Sequence, residues 1–158
     1  MLRIIHFNKV LSTQDIALGL VENHIFDILI RADVQTSGRG RLNKRIWVSE
    51  NGNFHGSFII KLGIKENSIT ILNDLLLNII KNFIDYQKQI AKIKYPNDIL
   101  INNRKVAGVL VEVCYPYAVM GIGFNIKTSP IENSTNIPNV SAKELIEFIY
   151  CELEKSAI

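Results

Sequence analysis

The residues best suited to chemistry lie in one basic, glycine-containing segment that runs from Gln35 to Trp47. Gly38 and Gly40 allow backbone angles that other residues avoid, so consecutive N–H groups can point into one concavity and hold an anion. Cationic side chains surround these glycines, namely Arg39, Arg41, Lys44 and Arg45. Because guanidinium groups suit phosphate and carboxylate, the segment predicts an anion site; a solvated or nucleic-acid-binding basic loop is the alternative.

Further residues could complete such a site. Trp47 closes the basic segment with a flat ring that could stack on a base. Lys94 comes just before the turn sequence at 96–98, where the surface of a sheet would open; a solvated lysine at a strand edge is the ordinary alternative. Gly108 and Gly123 lie inside predicted strands, where a missing side chain lets a ligand approach the backbone, although strand crowding or bulging explains either one equally well.

Two hydroxyl residues mark the first helix start. Ser12 and Thr13 precede apolar residues at helical spacing. Ser12 can cap the helix, and Asp15 would lie near its positive end. A plain cap is one interpretation of these residues. In the other, the hydroxyl groups bind a polar ligand at the same end of the helix.

The rest of the sequence predicts the strands and helices that must position these residues. Strands are predicted at 2–7, 26–34 and 53–62. A further strand ends near residue 95, a short and a long strand form a hairpin centred on 102–103, and a last strand covers 117–126. Helices are predicted from Ser12, over 69–86 and from a capping box at Ser141. Strands joined by hairpins, with helices early, in the middle and at the end, predict an α+β fold with one mixed, mostly antiparallel β-sheet backed by α-helices.

Composition narrows the class of protein. The chain has 158 residues, 47% hydrophobic and 21% charged, which suits one globular domain rather than a disordered chain. A net charge of +3 favours a local anion site over a DNA-binding surface. Without a bilayer-length apolar run or an ordinary signal peptide, a soluble, cytoplasmic protein with no membrane partner is expected. Cys114 and Cys151 are expected as packed thiols, and no metal-ligand spacing is present.

Together these motifs resemble the biotin protein ligases. The matching pieces follow the family's order and run from residue 12 to 125: Ser12-Thr13, Gln35-Thr36-Ser37-Gly38-Arg39-Gly40-Arg41, Trp47, Lys94-Tyr95-Pro96-Asn97-Asp98, Arg104 to Glu112, and Gly121-Ile122-Gly123-Phe124-Asn125. Tyr95 replaces the commoner Trp, and the spacing from Arg41 to Trp47 is about one residue longer than the family pattern. The resemblance implies a class II synthetase-like biotin/lipoate ligase catalytic domain, with residues 1–158 as a single domain.

The resemblance also implies a reaction and its substrates. Biotin and ATP, with Mg²⁺, would give biotinyl-5'-adenylate and pyrophosphate, and the biotinyl group would then pass to a lysine of a biotin carboxyl carrier protein domain of acetyl-CoA carboxylase or a related carboxylase. Arg39 and Lys94 are implied as the catalytic residues, and no protein-held metal site is expected. Implied biotin-binding residues are Ser12, Thr13, Gln14, Gln35, Gly38, Arg39, Gly40, Arg41, Lys94 and Gly108. Implied nucleotide-binding residues are Arg39, Arg41, Trp47, Lys94 and Asn125.

The expected form is a short one, without an N-terminal DNA-binding domain and without the small C-terminal domain that many family members carry. Repressor activity is therefore not expected. Because family members often pair through sheet edges, the resemblance also implies a possible homodimer. The nearest rival interpretation is a lipoate or octanoate ligase or transferase of the same fold. A rival of another class is a non-catalytic module that binds biotin or nucleic acid.

Overall fold

The computed structural model describes residues 2–41, 46–63 and 68–156. The helices within these residues are α1 (Thr13–Val21), α2 (Ile69–Tyr86) and α3 (Ala142–Lys155). The strands are β1 (Arg3–Val10), β2 (Ile28–Gln35), β3 (Gly38–Arg39), β4 (Ile46–Trp47), β5 (Phe54–Lys61), β6 (Ala91–Lys94), β7 (Asp98–Ile101), β8 (Arg104–Cys114) and β9 (Tyr117–Phe124).

Within the described residues, seven strands form one sheet in the order β1-β2-β5-β9-β8-β7-β6, and β3 pairs with β4 in a separate ribbon. β1 runs parallel to β2, and the other neighbouring pairs of the large sheet are antiparallel. The predicted mixed, mostly antiparallel sheet is thus confirmed. β1 continues past the predicted end at residue 7, because its ladder with β2 extends as far as the pair Val10–Gln35.

Local capping explains where the helices begin. The Ser12 hydroxyl accepts a hydrogen bond from the Asp15 N–H at 3.3 Å and caps α1. Ser141 and Glu144 form the predicted capping box of α3: the Ser141 N–H donates to the Glu144 carboxylate at 2.8 Å, and the Glu144 N–H donates to the Ser141 hydroxyl at 3.1 Å. These reciprocal bonds use N–H groups that would otherwise lack partners at a helix start.

Helices cover both faces of the sheet. α2 and α3 share the larger core with Leu29 and Phe58. α1 packs against Ile28, Ile30 and Ile59 in a second core. Because successive side chains of a strand point to opposite faces, these two cores lie on opposite sides of the sheet. We call the side that carries α1 the α1 face. Within the described residues, no helix is long and apolar enough to span a lipid bilayer.

The two cysteines correct an expectation. Cys114 and Cys151 were expected in packed positions, yet both thiols are free and exposed. Cys114 is the last residue of β8, beside the hairpin that leads into β9. The buried positions of α3 are Leu145, Ile146, Ile149 and Leu153, and Cys151 lies outside this buried stripe.

Candidate functional site

A cavity of about 320 Å³ opens on the α1 face of the sheet. Three glycines of neighbouring strands, Gly108, Gly121 and Gly123, form part of its floor. Predicted site residues that line it are Thr13, Gln14, Gln35, Arg39, Gly40, Arg41, Trp47 and Gly108. As far as the described residues define it, Ser12, Gly38, Lys94 and Asn125 lie outside this lining. The cavity therefore joins most of the residues that the sequence singled out from distant segments.

The start of α1 supplies a neutral polar corner. The Thr13 N–H and hydroxyl both lie within hydrogen-bond distance of Gln35 Oε1, at 2.8 and 3.0 Å. Thr13 Oγ1 is also 3.0 Å from Ser57 Oγ, and the Ser57 hydroxyl donates to Gln14 Oε1 at 2.9 Å. Thr13, Gln14 and Ser57 are buried. Since buried polar groups are costly to leave unpaired, this network holds its side chains in one arrangement.

The Gln14 side chain lies close to the cavity floor. Its Oε1 atom is 2.5 Å from the place where a Cβ atom on Gly121 would stand. A larger residue at that position would displace the glutamine. Gln14 Nε2 in turn donates to Glu112 Oε2 at 2.9 Å. Gly121 and Glu112 therefore decide together where the Gln14 amide lies.

Arg39 is held by two carboxylates. Its guanidinium donates to both oxygens of Glu112 at 2.9 and 2.8 Å, and to Asp15 Oδ1 at 3.1 Å. Partial burial works against the charged form, but the bonds and charges of Glu112 and Asp15 prevail and raise the pKa of Arg39 above its ordinary value. Arg39 is therefore a fixed cation at the cavity wall. The predicted donors Lys44 and Arg45 of the same segment lie outside the described residues.

Gly38 allows β3 and β4 to approach each other closely and does not adopt an unusual backbone angle. It pairs with Trp47 in the β3–β4 ribbon, and a Cβ atom there would lie 2.7 Å from the Trp47 carbonyl oxygen. Within the described residues, the glycine with a positive φ angle is Gly52 instead. Gly38 therefore does not use the unusual backbone angles that a glycine permits. Its lack of a side chain brings β3 against β4 and places Trp47 over the sheet.

Trp47 lies flat against the glycine floor. A Cβ atom on Gly123 would collide with its ring, and one on Gly108 would lie 3.1 Å from ring atom Cζ3. The Lys105 ammonium stands 5.2 Å from the centroid of the Trp47 ring and forms an ion pair with Asp98 at 2.6 Å. In this conformation Gly108 and Gly123 leave room for the Trp47 ring. Crowding is thus a sufficient reason for a glycine at each of these two positions.

Lys94 lies beside the cavity, on an outer strand of the sheet. It pairs with Asp98, Asp98 pairs with Gly108, and Gly108 pairs with Gly123 in one row across the strands. The neighbouring Ile93 packs against the core on the opposite side, so Lys94 belongs to the α1 face. Two strand spacings of about 4.8 Å put its backbone about 10 Å from that of Gly108. The Lys94 side chain is exposed.

Asn125 and Trp47 border a second, smaller cavity of about 40 Å³ next to Lys105. The Asn125 amide donates to the Thr135 carbonyl at 3.0 Å. Among the residues that the structure describes, its Oδ1 atom is buried without a hydrogen-bond partner, and so is Nε1 of Trp47. An acceptor and a donor thus border one small space, and a polar group that enters it can satisfy both.

His55 lies behind the polar corner. Its Nδ1 atom is 3.3 Å from Ser49 Oγ, which accepts the Gln35 N–H at 2.8 Å. Burial, the largest effect on this imidazole, lowers the pKa of His55 to about 4. A neutral histidine therefore contacts Ser49, which in turn accepts the backbone N–H of Gln35. His6, in contrast, is exposed and pairs with Asp33 at 2.8 Å.

Sequence reasoning missed three residues of this site as candidates. Glu112 holds Arg39, Ser57 links Thr13 to Gln14, and Lys105 lies over Trp47. Glu112 had a usable signal, because it is a charged residue flanked by valines in a strand. Within the described residues, no group of three or more His, Cys, Asp or Glu side chains could hold a metal ion.

Comparisons with known proteins agree with this geometry. The family described as "Biotin/lipoate A/B protein ligase family" matches residues 12–125. The Bifunctional ligase/repressor BirA of Bacillus subtilis is 33% identical over 137 residues, which cover 80% of this chain and 41% of that relative. The chain thus matches less than half the length of that relative.

Solved structures show the same fold. The biotin acetyl coenzyme A carboxylase synthetase from Helicobacter pylori, with bound biotinylated ATP, has a TM-score of 0.84 and 25% identity, covering 98% of this chain and 75% of that one. The biotin protein ligase from Aquifex aeolicus, in complex with biotin and ATP, has a TM-score of 0.81 and 27% identity, covering 98% and 70%. These likenesses confirm the class II synthetase-like fold. The chain belongs to the biotin/lipoate A/B protein ligase family.

Proposed function

We propose that the chain is a biotin protein ligase. It joins biotin to ATP to form biotinyl-5'-adenylate and pyrophosphate, and then passes the biotinyl group to a lysine of a biotin carboxyl carrier protein domain. One observation carries this proposal: a single cavity combines a neutral polar corner at Thr13 and Gln14 with the arginines of the basic segment. The relatives that are solved with biotin and ATP support the same assignment of substrates.

The neutral corner suits the ureido ring of biotin. That ring presents one carbonyl acceptor and two N–H donors and carries no charge. Thr13, Gln14 and Gln35 offer hydroxyl and amide groups that match it without the cost of burying an unpaired charge. Ser12 supports this corner by capping α1. Gly38 does so by letting β3 approach β4.

The charged end suits the reacting groups. The biotin carboxylate must attack the α-phosphorus of ATP, so two anions have to approach each other. Arg39 and Arg41 line the cavity, and Lys94 lies in the row of residues that crosses its floor. Fixed cations of this kind stabilise the charge that develops in the transition state and commonly contribute the largest catalytic effect. In the proposed mechanism Arg39 and Lys94 contact the carboxylate and phosphoryl oxygens.

The nucleotide is proposed to lie beside Trp47 and Asn125. Their unpaired donor and acceptor fit the mixed hydrogen-bonding edge of a purine. Mg²⁺ is proposed to arrive with the triphosphate, since this ion commonly binds substrate phosphates through few protein ligands, and it would share the phosphate charge. Gly40 and Arg41 would cover the product, because water destroys an acyl-adenylate.

We also propose that residues 1–158 act as one catalytic domain, with a carboxylase carrier domain as acceptor. The two cores on either side of a single sheet support the first statement. The description of the Helicobacter pylori neighbour as a carboxylase synthetase supports the second. DNA and membranes are not proposed as partners. A homodimer formed through the outer edge of β1 is also proposed.

Incubation with a carrier domain tests the activity. The protein, biotin, ATP, Mg²⁺ and an isolated biotin carboxyl carrier domain should yield a carrier heavier by one biotinyl group in mass spectrometry. A parallel reaction contains lipoate in place of biotin. Transfer of lipoate alone would replace the proposal with the lipoate interpretation. Binding of biotin without biotin-dependent exchange of pyrophosphate into ATP would indicate a non-catalytic binder.

Lys94→Ala tests the proposed catalytic role. Removing one fixed donor commonly costs about 100-fold or more in rate, so pyrophosphate exchange should fall by at least that factor. Lys92→Ala is the matched control, because Lys92 lies two residues earlier on the same strand. The control should retain activity within about twofold, and both variants should keep the wild-type circular dichroism. Near-normal exchange by Lys94→Ala would remove Lys94 from the mechanism.

A further inference from the structure

Glu112 stands behind the cavity wall and touches two of its lining residues. It accepts two hydrogen bonds from Arg39 and one from Gln14. Arg39 belongs to the charged end of the site and Gln14 to the neutral corner. One carboxylate on β8 therefore connects the two halves of the cavity.

We propose that Glu112 is a positioning residue, which aims the Arg39 guanidinium at the substrate anions and fixes the direction of the hydrogen bonds in the neutral corner. This inference rests on the proposed ligase function. Glu112 acts through Arg39 and Gln14 and does not itself contact biotin or nucleotide.

A carboxylate without a role in the site would be unfavourable at this position, because the proposed substrates are anions. A site that collects two anions is destabilised by a third negative charge nearby, unless a cation compensates it. Arg39 gives that compensation in a bidentate arrangement, which fixes the plane of the guanidinium as well as its position. Arg39 has five N–H donors, of which three are used by Glu112 and Asp15. As far as the described residues show, two donors stay available for a substrate anion, and Glu112 sets where they point.

Glu112 also sets the direction of the polar network. An ionised carboxylate only accepts hydrogen bonds, so Gln14 must turn its NH₂ group towards Glu112 and its oxygen towards Ser57. The Ser57 hydroxyl proton is then directed to Gln14, so Ser57 Oγ can only accept from Thr13, whose single hydroxyl proton has Ser57 Oγ and Gln35 Oε1 as alternative acceptors, both at 3.0 Å. The pattern of donors and acceptors beside the neutral end of the ligand is thus set by a charge on the neighbouring strand.

Glu112→Gln tests the proposal while it preserves the size of the side chain. The variant loses the charge opposite Arg39 and, in either orientation of its amide, turns an NH₂ group towards a present donor: towards Arg39 Nη2, or towards Arg39 Nη1 and Gln14 Nε2. Because misplacement of a reacting group by about 1 Å can cost about 100-fold, we expect kcat for pyrophosphate exchange to fall at least tenfold. The Kd for biotin, measured by calorimetry without ATP, should rise at least tenfold. The melting temperature should change by only a few degrees.

Asp15→Asn is the matched control. Asp15 binds the same guanidinium, but its side chain is 57% exposed against 29% for Glu112. Since exposed ion pairs contribute little, this variant should lower kcat and weaken biotin binding several-fold less than Glu112→Gln does. Equal losses in Asp15→Asn and Glu112→Gln would show a general effect of charge on Arg39 and would overturn the specific role of Glu112.

A double-mutant cycle separates positioning from an independent effect. If Glu112 acts on exchange through Arg39, then Glu112→Gln should lower kcat much less in an Arg39→Gln background than in the wild type. Losses in kcat that multiply would overturn the proposal, as would a Glu112→Gln variant within twofold of the wild type. If the wild-type protein neither binds biotin nor exchanges pyrophosphate, the proposed function itself fails, which is a distinct outcome from failure of one variant.

Discussion

Arg39 and Arg41 show how the surroundings of one side chain decide what it can do. Arg39 is tied to Glu112 and Asp15, and these two carboxylates fix its position and face its single positive charge. Lys105 is compensated in the same way by Asp98. Arg41 lines the cavity and has no ion-pair partner among the described residues. The proposed site therefore combines an oriented cation with a second cation that carries its charge into the cavity.

His55 gives a prediction for stability at the residue scale. Its pKa is lowered to about 4 by burial, against an ordinary histidine value of about 6.5. Between these two values the unfolded chain binds a proton that the folded protein does not. Folding stability should therefore be unaffected by this residue above pH 6.5 and fall as the pH decreases towards 4. The loss reaches about 3 kcal/mol at most, at 1.36 kcal/mol for each pKa unit.

Urea denaturation at pH 7 and at pH 4.5 measures this loss. The variant His55→Gln should lose less stability between these two values than the wild type, because it has no buried imidazole to protonate. His24→Asn removes an exposed histidine and serves as the control for the loss of an imidazole outside the core. An unchanged pH dependence in His55→Gln would show that other groups cause the acid sensitivity.

At the scale of elements, the β3–β4 ribbon and the β8–β9 hairpin depend on each other. Trp47 of the ribbon lies on Gly108 and Gly123 of the hairpin strands. Gly123→Ala should therefore displace the indole ring and destabilise the protein by about 1–3 kcal/mol, the usual cost of overpacking. The chain has a single tryptophan, so the fluorescence spectrum reports Trp47 directly and should shift to longer wavelength.

Gly19→Ala is the control for that substitution. Gly19 lies inside α1, and a Cβ atom there would meet no atom within 4 Å. Alanine is the better helix former, so this variant should be more stable by up to about 1 kcal/mol and keep the wild-type spectrum. A Gly123→Ala variant with unchanged stability and fluorescence would contradict the packing of Trp47 on this strand.

Periodicity was sufficient to predict most elements. The spacing of apolar residues predicts a helix over 69–86, and α2 spans Ile69–Tyr86. Such patterns are local, so they locate a helix or strand without knowledge of its neighbours. The predicted hairpin at 102–103 is likewise confirmed between β7 and β8.

Contacts across the sheet could not be predicted in this way. Arg39 and Glu112 are 73 residues apart, and no spacing rule joins them until the strand order is known. The predicted role of Gly108 had the same weakness, because Trp47 reaches it only through the fold. The sequence therefore indicated which residues belong to the site through the family resemblance, whereas the partners of each residue required the structure.

At the scale of the whole molecule, β1 is the outermost strand of the sheet on its side. Ile4, Ile5 and Phe7 of this strand are exposed. An exposed edge strand with apolar side chains favours pairing with another strand. We therefore expect the protein to form a homodimer in which two β1 edges meet, detectable by light scattering at micromolar concentration.

Ile4→Lys should weaken this dimer at least tenfold, because charged residues on an edge strand oppose strand pairing. Ile4 is 50% exposed, so the monomer should stay folded. Ile90→Lys is the control, since Ile90 is 81% exposed and lies just before β6 at the other edge of the sheet. Dimers that are lost in Ile90→Lys and kept in Ile4→Lys would assign the interface to the opposite edge.

β5 can pair with β9 only after the ribosome has synthesised β9, so the complete cavity cannot form earlier. A ribosome would already have made Arg39, Arg41 and Lys94 while Gly121 and Gly123 were still missing from the nascent chain. Such a partial chain would hold Arg39, Arg41 and Lys94 yet lack two of the three glycines of the cavity floor. The proposed adenylate chemistry would therefore have to wait until β9 closes the middle of the sheet.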